Sequence, residues 1–237
     1  MPARDLLARL AAEPERAAIL LDVDGTLAPI VPRPEDARVP DVTRNEVARL
    51  ADRYALVGCI SGRPGADARE IVGVEDAVYV GEHGLELEPE ARRWSKRVHD
   101  FADSVDWPVE RKPLTASFHW RQAEDEEAAE RKMRAVAEQA RAAGLRPRFG
   151  RKVLELRPPL DADKGTAVRR LLAERSLSRA LYAGDDTTDL DAFRGLDGLD
   201  LAVRVAVASA EAPSALREAA DLLVGSPAEL VEVLCSL

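Results

Sequence analysis

Cysteine is nearly absent: the 237 residues hold two, Cys59 and Cys235. Two thiols so far apart exclude a disulfide framework and a zinc site, and Cys59, inside an apolar stretch, reads as core. Positive charge is also in deficit, with 34 Lys and Arg against 43 Asp and Glu and a formal charge of −9. Such a chain is not expected to bind nucleic acid or an anionic membrane surface. A small anionic ligand fits only if a few cations converge on one place. No apolar run is long enough to span a bilayer. The opening MPARDLLARLAAEPER carries charges throughout and lacks an apolar h-region, so no signal peptide is expected and a reducing cytoplasm is the default compartment. There is no internal repeat or low-complexity tract. No G-x-G-x-x-G follows the first apolar strand, which argues against a nicotinamide-binding Rossmann protein. Nothing sets an oligomeric state, and a monomer is the default.

What is present is a globular composition, 46% hydrophobic and 32% charged, in a chain long enough for one large domain or a domain plus an insert. One stretch organises the rest. In LLDVDGTLAPIV, the apolar run from Ala17 to Leu21 stops at Asp22 and Asp24, followed by Gly25 and Thr26. This predicts a buried strand whose C-terminal end delivers carboxylates to a site, as open α/β sheets do. Gly25 permits a turn or a close backbone approach. Taken singly, a DxD is equally a solvated turn.

Before this strand, Asp5 to Ala12 predicts a short amphipathic helix ending near Pro14. After it, Pro29, Pro32, Pro34 and Pro40 predict a stiff connector. Thr43 and Glu46 predict a capping box opening the next helix. ALVGCISGRP predicts a second strand ending in Ser61-Gly62-Arg63, a helix follows over 67–72, and AVYVGEHGLELE predicts a third strand. Alternating strands and helices predict a parallel, doubly wound α/β sheet.

The character changes near Trp94. WSKRVHDFADSV predicts a helix and VERKPLTASFHWR an alternating strand. EDEEAAERKMRAVAEQARAAG predicts a helix stopped by Gly144, with Met133, Val136, Ala137 and Ala140 on one face. KVLELRPP predicts a strand closed by Pro158-Pro159. These elements form a small α+β insert, giving domains 1–95, 96–159 and 160–237. The doubly wound pattern then resumes with a helix over 164–174, the strand RALYAGDD, a helix over 189–194, the strand LAVRVAV and a final helix to Leu234.

Three strand ends thus aim acids or anion-binding groups at one place: Asp22 with Asp24, Ser61-Gly62-Arg63, and Asp185-Asp186 with Asp189. Asp163-Lys164-Gly165-Thr166 adds a lysine at a helix N-terminus, where free N–H groups favour phosphate. Singly, each piece is also a turn or a plain helix start. Together they supply a nucleophile, a proton donor, charge neutralisation and oxygen ligands for a divalent cation, the needs of phosphomonoester hydrolysis. Scattered aspartates without a His or Cys set favour Mg²⁺ over zinc.

The order DVDGT, Ser61, Lys164, GDDTTD resembles the four motifs of the haloacid-dehalogenase-like phosphatases, with the insert where one class of their cap domains lies. The resemblance implies a nucleophile at Asp22, an acid/base at Asp24, an orienting Thr26, and phosphate held by Ser61 and Lys164. It implies Mg²⁺ at Asp22, the Asp24 carbonyl and Asp185, with Asp186 and Asp189 close by. GEHGLE, VERKPLTASFHWR, LELRP, DKG and GDDTTDLDAF resemble the trehalose-6-phosphate phosphatases over nearly the whole chain. That resemblance implies a sugar pocket lined by Glu110, Lys112 and Glu155, brought to the substrate by cap closure. His83, His119 and Arg121 join it through their HG and HWR contexts. Arg111 is expected on the surface. Leu190 stands where many relatives carry Glu, so no role for that carboxylate is carried over, and Asp191 is its neighbour. The implied reaction is hydrolysis of trehalose 6-phosphate through an aspartyl-phosphate. The rivals are another capped sugar-phosphate or glycosyl-phosphoglycerate phosphatase, and a non-catalytic ligand-sensing domain.

Overall fold

Ala17–Leu21 (β1) is five apolar residues in a row, all buried, as a strand covered on both faces requires. In the computed structural model, which describes residues 3–31, 33–150, 152–208 and 213–237, β1 lies inside a six-stranded parallel sheet. The other strands of the sheet are Leu56–Ile60 (β2), Val78–Val80 (β3), Arg179–Gly184 (β8), Leu201–Val207 (β9) and Leu222–Val224 (β10), in the order β10-β9-β8-β1-β2-β3. The chain runs from β1 outward to β3 on one side, then returns and runs outward from β8 on the other. The reversal falls between β1 and β8, and the crevice beyond those two strand ends is where such sheets hold ligands. Register makes the two ends level: Leu21 pairs with Ala183, and the Asp22 N–H donates to the Ala183 carbonyl at 2.9 Å.

Helices of this unit are Ala3–Ala11 (α1), Asp41–Arg53 (α2), Gly65–Val72 (α3), Lys164–Glu174 (α6), Asp189–Gly195 (α7), Ser214–Ala219 (α8) and Pro227–Cys235 (α9). One core joins Leu10, Ile19, Leu21, Leu50, Cys59 and Leu181, all but unexposed. Burying each Leu or Ile stabilises by roughly 1.5–3 kcal/mol. No helix among the described residues is long and apolar enough to cross a membrane.

The second unit, Leu85–Asp161, has another logic. Its strands Glu110–Arg111 (β4), Ala116–His119 (β5), Arg146–Gly150 (β6) and Val153–Arg157 (β7) form an antiparallel sheet in the order β4-β5-β7-β6. Ala91–Asp103 (α4) and Glu126–Ala142 (α5) supply Val98, Ala102, Met133, Val136, Ala137 and Ala140 to a core with Ala116, Phe118, Leu154 and Leu156. Alternation then puts the remaining strand residues on the opposite face. Glu110 pairs across with Ser117, Ser117 with Glu155, and Glu155 with Arg148. That face is a polar row.

Several expectations change. The α2 N-cap is Pro40 rather than Thr43; Thr43 is buried within the first turn, and Glu46 binds Arg49 instead of closing a capping box. The third strand stops at Val80 because Glu82, His83 and Gly84 follow with φ of 48°, 54° and 95°, left-handed values that no strand propagates. VERKPLTASFHWR is two strands, since Pro113 has no N–H and the Lys112 N–H turns back to the Thr115 carbonyl at 3.0 Å. β6 was hidden by Pro147. The last segment is α8, β10 and α9 rather than one helix. The units divide after Gly84 and after Asp161, against expected boundaries after 95 and 159: α4 packs on β5 and β7 and so joins the insert.

Candidate active site

Asp22 leaves β1 into a tight turn. Leu27 and Ala28 N–H groups both return to the Val23 carbonyl, and the Gly25 N–H donates to the Ala28 carbonyl. Gly25 has φ +85°, and a Cβ there would lie 2.1 Å from Asp185 Oδ2. Only glycine lets the DxDGT turn and the end of β8 come this close.

Behind the turn lies a buried ionic chain. Lys164 Nζ donates to Asp22 Oδ1 at 2.6 Å and to Asp189 Oδ1 at 2.7 Å. Lys164 is the first residue of α6, whose N-terminus is closed by reciprocal hydrogen bonds between Asp163 and Thr166. Asp189 opens α7 and is fully buried; its Oδ1 also accepts from the Tyr182 hydroxyl at 2.7 Å, and its Oδ2 from the Asp185 and Asp186 N–H groups, both at 2.9 Å. Those four donors fill the acceptor sites of a carboxylate. Removing one partner of a buried pair like Lys164–Asp189 costs about 3–5 kcal/mol. Thr26 Oγ1 reaches Asp22 Oδ2 only at 3.4 Å, a long contact.

Oxygens of Asp22, Asp185 and Asp189 lie within 4.8 Å of one another. Burial, reinforced by the charges of Asp189 and Asp24, pushes the Asp22 carboxyl up to about 7 against the pull of Lys164. Burial, then Asp22 and Asp189, pushes Asp185 up to about 9. Lys164 goes the other way: burial alone would lower it, but Asp189 and Asp22 hold its ammonium above the ordinary value. Fully ionised, three carboxylates against one ammonium would leave two negative charges without compensation, and that excess adds to burial in raising the Asp22 and Asp185 carboxyls. A hard divalent cation matches that deficit and that donor set. Since Asp189 is saturated by its donors, Asp22 and Asp185 are the carboxylates that would face the ion.

Asp24 points elsewhere. Both its oxygens are taken by the Arg63 guanidinium, Nε to Oδ2 at 2.6 Å and Nη2 to Oδ1 at 2.7 Å, a bidentate fork that fixes orientation. Ser61 is buried at the end of β2, and its hydroxyl accepts the Arg63 N–H at 3.1 Å. Gly62 lies against the His83 ring, 2.7 Å from where a Cβ would stand. Asp186 is exposed, contributing its N–H rather than its side chain. Asp191, next to Leu190, forms an ion pair with Arg194 at 2.7 Å.

The first unit therefore joins Asp22, Thr26, Lys164, Asp185 and Asp189 in one cluster and Asp24, Ser61, Gly62, Arg63 and His83 in contacts around it. The other residues expected at a site lie in the second unit. Glu110 Oε2 meets His119 Nε2 at 2.7 Å on the surface, and Arg111 pairs with Asp103. Lys112 is half-buried and Arg121 exposed. Glu155 is buried, 3.7 Å from Arg157. Sequence reasoning missed Tyr182. The signal for Tyr182 was a phenol inside the buried run of RALYAG, where a hydroxyl must find a partner.

A family model described as Trehalose-phosphatase matches residues 20–107 and 107–221 of the chain. A probable trehalose-phosphate phosphatase 9 from Oryza sativa subsp. japonica is 33% identical over 234 residues, covering 78% of this chain and 61% of that protein. A trehalose-phosphate phosphatase from Mycobacterium avium (strain 104) is 36% identical over 207 residues, covering 76% and 51%. The chain thus spans only about half to three-fifths of the length of these curated relatives. In fold, it resembles the C-terminal domain of a Candida albicans trehalose-6-phosphate phosphatase, with a TM-score of 0.77 at 24% identity over 98% of this chain and 95% of that one.

Proposed function

Since the chain belongs to the trehalose-phosphatase family, we propose that it hydrolyses trehalose 6-phosphate to trehalose and inorganic phosphate. The observation that carries this reading is the buried Asp22–Lys164–Asp189 chain beside Asp185, at the point where the strand order reverses.

Asp22 is the nucleophile. One of its carboxylate oxygens attacks phosphorus, the bond from phosphorus to the sugar oxygen breaks, and Asp24 gives that oxygen its proton. The result is trehalose and an aspartyl-phosphate. Asp24 then takes a proton from a water molecule whose oxygen attacks the same phosphorus. The Asp22–phosphorus bond breaks, and phosphate and the free carboxylate are restored. For either transfer Asp24 must yield one oxygen from the Arg63 fork. Lys164 holds the Asp22 carboxylate in place and offsets charge that develops on the phosphoryl oxygens. Ser61 binds the same oxygens. When bound at Asp22, the Asp24 carbonyl and Asp185, Mg²⁺ supplies further neutralisation of the phosphoryl group. Asp189 and Asp186 order the loop behind those ligands.

Sugar recognition belongs to Glu110, Lys112 and Glu155 of the second unit, with His83, His119 and Arg121, because carboxylates and ammonium groups make charge-assisted hydrogen bonds to hydroxyls. We place the reaction in the cytoplasm, in keeping with two free thiols. The test is phosphate release from trehalose 6-phosphate, glucose 6-phosphate and a chromogenic phosphate ester, with and without Mg²⁺. A Mg²⁺-dependent preference for the disaccharide is expected. Release from the chromogenic ester alone would retain the phosphatase and discard the substrate, and no release from any ester would discard both.

A further inference from the structure

β8 is an aliphatic strand containing one phenol. Tyr182 is fully buried, level with Leu20 of β1 on one side and Arg204 of β9 on the other. Its ring meets Phe193 of α7 edge-on, with centroids 6.1 Å apart and planes at 82°. The hydroxyl donates to Asp189 Oδ1 at 2.7 Å, the same oxygen that receives Lys164 Nζ at 2.7 Å. Burial first, and then the charges of Asp189 and Asp22, raises the phenol well above its ordinary value, so it stays a proton donor.

The two oxygens of Asp189 are held differently. Oδ2 is pinned by two backbone N–H groups of the loop after β8. Oδ1 is shared by the end of a lysine with several rotatable bonds and by a hydroxyl rooted in the central sheet. The second is the rigid one, because a tyrosine has two χ angles and this ring is packed on all sides. It therefore sets where Oδ1 points, and Oδ1 in turn sets where the ammonium stands against Asp22 Oδ1.

We propose that Tyr182 is a positioning residue for phosphoryl transfer, acting through Asp189 to hold Lys164 against Asp22. This rests on the reading of Asp22 as nucleophile given above. Without the hydroxyl, Asp189 Oδ1 keeps only the lysine, and the carboxylate can pivot about its pinned Oδ2, carrying the ammonium with it. The substrate still binds, but the nucleophile and the charge beside it are less well aligned when the new bond forms. Such misplacement lowers the rate of the chemical step more than affinity.

The experiment compares Tyr182→Phe, Leu234→Ala and the unaltered full chain with Mg²⁺, measuring kcat and KM on trehalose 6-phosphate and on the chromogenic ester, and Tm on each. Tyr182→Phe should lower kcat by roughly 10- to 100-fold on both esters by the same factor, with KM within about threefold. Leu234→Ala opens a cavity in the core where α9 packs on α2, leaving the Tyr182 ring and hydroxyl in place; it should lower Tm at least as much and leave kcat within about threefold. An unchanged kcat in Tyr182→Phe overturns the proposal. So does a loss of kcat that Leu234→Ala reproduces, or failure of Tyr182→Phe to fold, since either assigns the hydroxyl to the fold. Absence of phosphate release from the unaltered chain is a separate result, and brings down the catalytic reading together with this one.

Discussion

The two units treat charge in opposite ways. In the first, Asp22, Lys164 and Asp189 are buried and hydrogen-bonded to one another or to the backbone, with the Asp185 carboxyl buried beside them. In the second, the polar row runs from Glu110 and His119, whose side chains are 44% and 58% exposed, to Ser117, Glu155 and Arg157, which are buried. Buried charges interact strongly and tolerate little displacement, whereas exposed pairs are worth about 0–1 kcal/mol. On the proposed mechanism the bond-breaking groups sit where geometry is rigid, whereas Glu110 and His119, assigned to the sugar, sit where one side chain can change without unfolding the sheet beneath it.

Four measurements would break or sharpen that contrast. The largest effect belongs to Asp22→Asn, which should lower turnover on every ester by more than about 10⁴-fold while the protein still unfolds cooperatively; residual turnover near that of the unaltered chain would end the contrast at its root. Next is the cation. Saturating Mg²⁺ should raise the unfolding temperature by several degrees, corresponding to about 2.7 kcal/mol at a hundredfold excess over Kd. Asp185→Asn should abolish that rise, and a rise of equal size in the variant would remove Asp185 from the ion site. Third, Glu155→Ala should weaken kcat/KM on trehalose 6-phosphate by roughly 10- to 100-fold, about 1.4–2.7 kcal/mol, and spare the chromogenic ester. Equal loss on both would make it a structural residue. The smallest belongs to Glu110→Ala, a few-fold loss confined to the disaccharide with Tm unchanged within a degree or two; a Tm fall like that of a core substitution would show that its pair with His119 holds the sheet.

Legibility in the sequence follows the same division. Asp22, Lys164, Asp185 and Asp189 could be read because each marks an abrupt change, from apolar strand to acid or from loop to capped helix. Residues whose importance comes only from a distant partner could not. Nothing local in SGRP says that Arg63 will grip Asp24, and the phenol in RALYAG says that its hydroxyl needs a partner without saying that Asp189 is the one. Among the elements, the parallel strands β1, β2, β3, β8 and β9 announced themselves as apolar runs. β6 did not, since Arg146 and Arg148 flank Pro147, and neither did β10, three residues between two helices. The left-handed run Glu82–His83–Gly84 carries residues of which only the glycine prefers that conformation, so a strand was the natural reading.

β6 has a further consequence. It is an edge of the four-stranded sheet, and an uncovered edge invites another chain to add a strand. Pro147 offers no N–H there, Arg146 is turned into an ion pair with Asp161, and β4 at the opposite edge is only two residues long. Both edges of this sheet therefore offer a passing strand few backbone groups in a row to pair with.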